Sequence, residues 1–174
     1  KLRASINEKG LIEALDYDQI DDVGAYPRAP EPASLYRMHG NLSGAYKVKN
    51  IRCRNRVVLT NKTPSGLNRG FGGPQHYFAL ERLVHQIAVE LDLNVLDVIK
   101  VNLLEKKQFP YKSPSGALLD SGDFQKLIKK VVKSSTYKNI LKKKNDAIKN
   151  GKIYGIGYSA IIEPSISNLS LIHI

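Results

Sequence analysis

The spacing of apolar and polar positions changes several times along this chain, and each change marks an element. Residues 1–26, KLRASINEKGLIEALDYDQIDDVGAY, hold two stretches of mixed alternation joined at NEKG. Gly10 there tolerates the positive φ of a tight turn, so the segment predicts a β-hairpin. The proline-rich PRAPEPAS, residues 27–34, reads as a connector into a short helical stretch near Leu35 to His39. From Tyr46 to Thr60 the residues YKVKNIRCRNRVVLT alternate over much of their length, which predicts a half-buried strand or a bent strand pair. The next run, NKTPSGLNRGFGGPQ, breaks the periodicity and is a loop of turn formers.

Leu80, Leu83, Val84, Ile87, Ala88 and Leu91 then recur at i, i+3, i+4, i+7, i+8 and i+11. This is a helix of about four turns beginning near Pro74, where a proline sacrifices no helical hydrogen bond. A second short helix starts at Asn94, an N-cap residue with Asp97 three positions on. KKQFPYKSPSGALLDSGD reads as a loop, followed by two lysine-rich helices ending near Gly151. The closing IYGIGYSAIIEPS is strand-like in its β-branched and aromatic content. The pattern is α+β, with strands at both ends and helices between, and carries no alternating βαβ signature.

Composition narrows the class. With 174 residues and 42% hydrophobic content the chain is about one domain of ordinary globular type. Its apolar runs are too short to span a bilayer, and the residues from Lys1 onward carry no apolar secretory segment to read as an export signal. A cytoplasmic location is expected, with no membrane partner. The single cysteine, Cys53, leaves no disulfide framework and no cysteine-built metal site, and reads as a small filler in a strand. The net charge of +11 is local: ten lysines and one acid, Asp146, lie between Lys126 and Lys152, opposite an apolar stripe of Phe124, Leu127, Ile128, Val131 and Val132. Without interleaved arginines for base readout this reads as a solvated helix face rather than a nucleic-acid patch. A small basic nucleic-acid-binding domain and a noncatalytic scaffold domain stand as the alternatives to an enzyme.

The loop is the candidate for chemistry. Gly66, Gly70, Gly72 and Gly73 allow close approach of a ligand to backbone, at a helix start whose N–H groups and dipole favour an anion. Arg69 adds a permanently charged fork, and Phe71 a ring able to stack on a flat molecule. The spacing is neither a dinucleotide fingerprint nor a P-loop. On these grounds alone a structural turn and a ligand loop are equally open.

The run TNKTPSGLNRGFGGPQHYFALERLVHQIAVELDL, followed by VIKVNLL, FPYKSPSG and DSGD, resembles the large, molybdenum-binding subunit of the xanthine dehydrogenase and aldehyde oxidase family, the molybdenum hydroxylases. The similarity extends upstream through GAYKVKN and DDVGAY and downstream to GIGYSAIIEPS. It implies a fragment of a molybdopterin-binding region: residues 1–150 as part of the first molybdopterin-binding domain and 151–168 as the start of the second. LSLIHI, residues 169–174, matches the translation of a sequencing adapter and is set aside.

The resemblance further implies an oxidoreductase that hydroxylates aldehydes or N-heterocycles with water as oxygen source at a molybdenum–molybdopterin centre. Electrons would leave through iron–sulfur clusters and FAD on partner subunits or domains. Arg69, Gly70 and Gly72 match the family's cofactor-binding loop, Phe71 its substrate-stacking phenylalanine, and Arg37 a substrate-binding arginine of purine-oxidising members. The family's G-G-x-F-G motif and its catalytic glutamate have no counterpart in this chain, so no catalytic residue and no metal ligand is expected here, and the remainder of the large subunit is an expected partner. Glu81, Glu163, His39, His76 and His85 are expected to be structural. Carbon monoxide dehydrogenases of the family carry a copper-binding cysteine after this arginine, where this chain has Gly70.

Overall fold

A computed structural model describes residues 1–28, 35–66 and 68–162, with only the backbone of Tyr36 and Arg37. Most of the PRAPEPAS connector, Leu67, Glu163 and the LSLIHI end lie outside the described residues.

The expected hairpin forms from β1 (Leu2–Ile6) and β2 (Ile12–Asp22), which pair antiparallel. Asn7 closes its turn, its Oδ1 accepting from the N–H groups of Lys9 and Leu11. The register slips by one between Ser5 and Ile6, leaving Glu13 as an extra residue on β2. The bulge reverses the side-chain phase, so Ile12 is buried together with Leu15 and Tyr17 despite the odd spacing between the first two. β3 (Asn50–Val58) joins the other edge of β2 in parallel, and the sheet order is β1-β2-β3.

β3 is shorter and more exposed than Tyr46 to Thr60 suggests. Tyr46 itself makes only an isolated bridge to Leu103 and is fully buried. On the outer face the acids of β2 answer the arginines of its neighbours. Asp16 accepts from Arg52 at 2.8 Å and from Arg3, and Asp18 from Arg56 at 2.7 Å. Cys53 is exposed on this edge strand, which corrects its reading as a filler.

α1 (Gly73–Glu90) packs its predicted stripe of Leu80, Val84, Ile87 and Ala88 into the core against Leu15, Tyr17 and Val98. α2 (Val95–Asn102) begins as expected, with Asn94 Oδ1 accepting from Leu96 N–H at 2.9 Å. Asp97 pairs with Lys100 instead of reaching back to the cap. Between β2 and β3, the short helical stretch expected near Leu35 to His39 is a 3₁₀ helix over residues 36–41.

Two features depart from expectation. The 106–123 segment holds a small hairpin, β4 (Tyr111–Lys112) with β5 (Leu118–Leu119). The closing segment is extended over residues 152–162 but pairs with no strand among the described residues. The lysine helices form as predicted, α3 (Phe124–Lys133) capped by Asp123 and α4 (Ser135–Lys149) capped by Ser134. The mixed α+β class holds; among the described residues the closing segment joins no sheet, and side chains of α1 meet its backbone at Tyr158, Ala160 and Ile162.

Candidate functional site

The loop between β3 and α1 is tied first to the end of β2. Asp22 Oδ1 accepts from Gly24 N–H and Thr60 Oγ1, and its carboxylate pairs with Lys62 at 2.9 Å. Thr60, Lys62 and Ser65 exchange backbone hydrogen bonds with Val23, Gly24 and Ala25. At Gly24 a Cβ would sit 2.5 Å from the Thr63 carbonyl oxygen, so only glycine lets the DDVGAY turn lie against the loop. The Asp22 carboxyl is held below its ordinary pKa by Thr60, Lys62 and the Gly24 amide.

The second half of the loop turns sharply. Gly70, Phe71 and Gly72 take positive φ of 99°, 41° and 86° in succession. A left-handed phenylalanine between two glycines is a strained backbone that the surroundings must hold in place. Part of that hold is internal, since Phe71 N–H donates to Asn68 O at 2.9 Å and Gly73 N–H to Gly70 O at 2.7 Å. A Cβ at position 70 would lie 2.8 Å from Pro74 Cδ. Any side chain there meets both a forbidden φ and the proline ring.

The loop delivers the chain into α1 with Gly72 as N-cap, no side-chain cap and no acidic residue in the first turn. The positive end of the helix dipole is thus uncompensated and faces the loop. Arg69 is exposed, and its guanidinium makes no hydrogen bond or ion pair among the described residues. A bare cation beside an open helix N-terminus fits an anionic or carbonyl-rich group such as a pterin cofactor. Phe71 is 37% exposed at the loop's outer edge. Arg37 lies on the 3₁₀ helix, which docks on α1 through Asn41 Nδ2 donating to Tyr77 Oη at 3.2 Å; the Arg37 side chain lies outside the described set.

A cleft of about 710 Å³ opens beside the loop, between Gly70, Gly73 and Pro74 on one side and Gly157, Tyr158, Ser159 and Ile161 on the other, with α1 as its floor. Sequence reasoning missed this second wall. The signal was the alternation in GIGYSAIIE, which marked an extended chain without saying what it lies against. Of the residues expected to be structural, His76 is buried; Glu81 is buried with both oxygens within 3.1 Å of Tyr46 Oη, His85 contacts the Tyr158 carbonyl, and both of these also line the cleft, while Glu163 lies outside the described residues. Burial pushes the Glu81 carboxyl above its ordinary value, partly offset by the Ala160 amide and Tyr46. Among the described residues no cluster of three or more His, Cys, Asp or Glu side chains could hold a metal ion, and no helix is long and apolar enough to cross a membrane.

Residues 1–103 match the molybdopterin cofactor-binding domain family. The chain is 30% identical over 134 residues to the carbon monoxide dehydrogenase large chain of Hydrogenophaga pseudoflava, covering 74% of this chain and 16% of that one. It is 25% identical over 167 residues to the nicotine 6-hydroxylase large subunit of Paenarthrobacter nicotinovorans, covering 94% and 20%. Its fold superimposes on quinoline 2-oxidoreductase from Pseudomonas putida 86 with a TM-score of 0.74 and 25% identity, over 86% of this chain and 19% of that one. The chain therefore spans a fifth or less of the length of these relatives. Built around a glycine-arginine loop at an open helix N-terminus, the chain belongs to the molybdopterin cofactor-binding domain family.

Proposed function

We propose that this chain is the part of an oxidoreductase large subunit that lays the Arg69–Gly73 loop against a molybdenum–molybdopterin cofactor. The observation that carries the reading is the run of three positive-φ residues feeding an uncapped helix N-terminus beside the unpaired Arg69. The bound cofactor would supply oxygen-atom and electron transfer. Arg69 would hold its polar edge by charge-assisted hydrogen bonds, and Gly70 and Gly72 would let backbone approach it. Phe71, at the loop's outer edge, would stack on the substrate, with Arg37 as a second substrate contact. Residues 151–168 would begin a second molybdopterin-binding domain after a first that includes 1–150.

The substrate would be an aldehyde or N-heterocycle, hydroxylated with oxygen from water. Carbon monoxide is disfavoured, because Gly70 has no side chain to ligate copper and a Cβ there would strike Pro74. Cys53 stands on an exposed edge strand outside the loop. The names of the relatives mark them as large chains and subunits of assemblies, which supports partners carrying iron–sulfur clusters and FAD alongside the rest of the large subunit. A cytoplasmic setting without nucleic acid fits the lysine-rich faces of α3 and α4, which lack arginine for base readout.

The test is Arg69→Ala in the complete enzyme. Loss of a charge-assisted contact of about 1.5–3 kcal/mol should weaken cofactor retention roughly 10- to 150-fold, read as lower molybdenum content after dialysis. Unchanged metal content and unchanged turnover would reduce Arg69 to a turn residue. Assays with carbon monoxide and with a panel of aldehydes, using an artificial acceptor, should show aldehyde turnover without copper.

A further inference from the structure

One face of α1 binds the backbone of an extended chain. Tyr77, Glu81 and His85 recur every four residues on the helix, and each meets an alternate residue of the closing segment. His85 Nε2 lies 2.7 Å from the Tyr158 carbonyl oxygen and 3.3 Å from the Tyr158 amide nitrogen, so it meets the backbone of that residue as donor or acceptor according to its tautomer. Ala160 N–H donates to Glu81 Oε2 at 2.9 Å, and Tyr77 Oη donates to the Ile162 carbonyl oxygen. The spacings match physically. Four helical residues rise about 6.0 Å, and two extended residues advance about 6.6 Å. Three side chains thus replace a neighbouring strand, satisfying backbone groups that have no ladder partner among the described residues.

The middle rung differs from the others. Glu81 is 7% exposed and is the only acid of the three, and Tyr46, fully buried, reaches both its oxygens at 2.9 and 3.1 Å. Tyr46 is itself fixed by its backbone bridge to Leu103 and by donation from its N–H to Ser43 O. The carboxylate is therefore aimed before the segment arrives. Around Ala160, the residues Gly157, Tyr158, Ser159 and Ile161 line the cleft together with Gly70 and Pro74, while Ala160 itself does not.

We propose that Glu81 is a positioning residue: oriented by Tyr46, it fixes Ala160 and with it the extended segment that faces the cofactor loop across the cleft. The three α1 contacts are to backbone, while the side chains of the segment add their own anchors: the Tyr158 ring stacks on His85 and its hydroxyl pairs with Tyr137, and Ala160 and Ile162 pack on the core. The catalytic consequence rests on the cofactor-loop reading above; the placement itself does not.

The test uses the complete subunit in its complex. Glu81→Ala should raise amide exchange in the peptide spanning residues 156–162 about tenfold or more, as expected for loss of one buried charge-assisted bond. It should leave molybdenum content unchanged and raise the KM for an aldehyde about fivefold with kcat near the wild-type value. Glu81→Gln keeps a carbonyl for Ala160 and an amide for Tyr46, and should restore both readouts. If Glu81→Ala does not assemble, Ala160→Pro deletes the donor from the other side and should give the same fast exchange at Tyr158 and Ile162. Unchanged exchange in these variants, or a Gln variant as loose as the Ala variant, overturns the proposal. A wild-type complex lacking molybdenum and turnover would refute the cofactor reading alone, since the exchange measurement needs neither.

Discussion

His76 sits at the start of α1, 1% exposed, with neither ring nitrogen hydrogen-bonded among the described residues. Its ring stacks on Tyr17, centroids 5.6 Å apart, and meets Tyr77 edge-on at 5.1 Å. Burial, helped by nearby His39, holds its pKa down to about 4. A histidine depressed in the folded state takes its proton first in the unfolded chain. Its contribution to stability is therefore complete above pH 6.5 and lost progressively as pH falls toward 4, by up to about 3 kcal/mol. Replacing it by phenylalanine should flatten most of that slope in thermal melts between pH 7 and 4.5, leaving the smaller effect of half-buried His39, whose pKa burial also lowers. The same variant should be no less stable at pH 7, since it removes two unsatisfied nitrogens and keeps the ring. At Gly70, φ of 99° and the Pro74 contact predict that Gly70→Ala lowers the melting temperature by the equivalent of about 1–3 kcal/mol.

Among the elements, the hairpin and α2 are joined by one side chain. Asn102, 1% exposed, accepts from Ile12 N–H at 2.7 Å and donates to the carbonyls of Gly10 and Val98, both at 2.8 Å. Asn102→Ala leaves those buried groups unpaired and should cost about 3 kcal/mol in denaturant unfolding, far more than a typical surface change. The outer face of the sheet behaves differently. The arginines at 52 and 3 hold the Asp16 carboxyl well below the usual carboxylate range. A depressed carboxylate stabilises the fold above its unfolded pKa and loses that contribution as pH falls through its folded one. The cluster is open to solvent, so Asp16→Asn should lower the melting temperature only slightly, and less in high salt than in low.

Across the whole molecule, apolar surface remains uncovered. Leu127 and Val131 on α3 are 61% and 52% exposed, and Phe78 and Val89 on α1 are 75% and 76% exposed. Leu127 and Val131 line a groove of about 460 Å³ that runs between α2, α3 and the closing segment. Such surface is characteristic of contact with further protein. Expressed alone, the 174-residue chain should be poorly soluble and should retain no stoichiometric molybdenum, because one loop offers only part of a cofactor's contacts; metal analysis of the purified chain checks this.

The hairpin, the stripe of α1, the Asn94 cap and the lysine-rich helices were all legible in the residues, because each depends on neighbours a few positions apart. The glycine-arginine loop was legible as a break in periodicity, and its family from ordered motifs. Three things were decided only in tertiary structure. The bulge at Glu13 placed Ile12 and Leu15 in one core, since strand phase depends on the partner's register. Phe71 took a left-handed conformation that no residue type announces. Residues 158–162, within a segment whose alternation promised a strand, lie instead along α1, because a helix repeating every four residues and a chain repeating every two advance by nearly the same distance. Local pattern determines which segments are extended or helical; which surface an extended segment lies against depends on groups brought near it from 73 to 85 residues away.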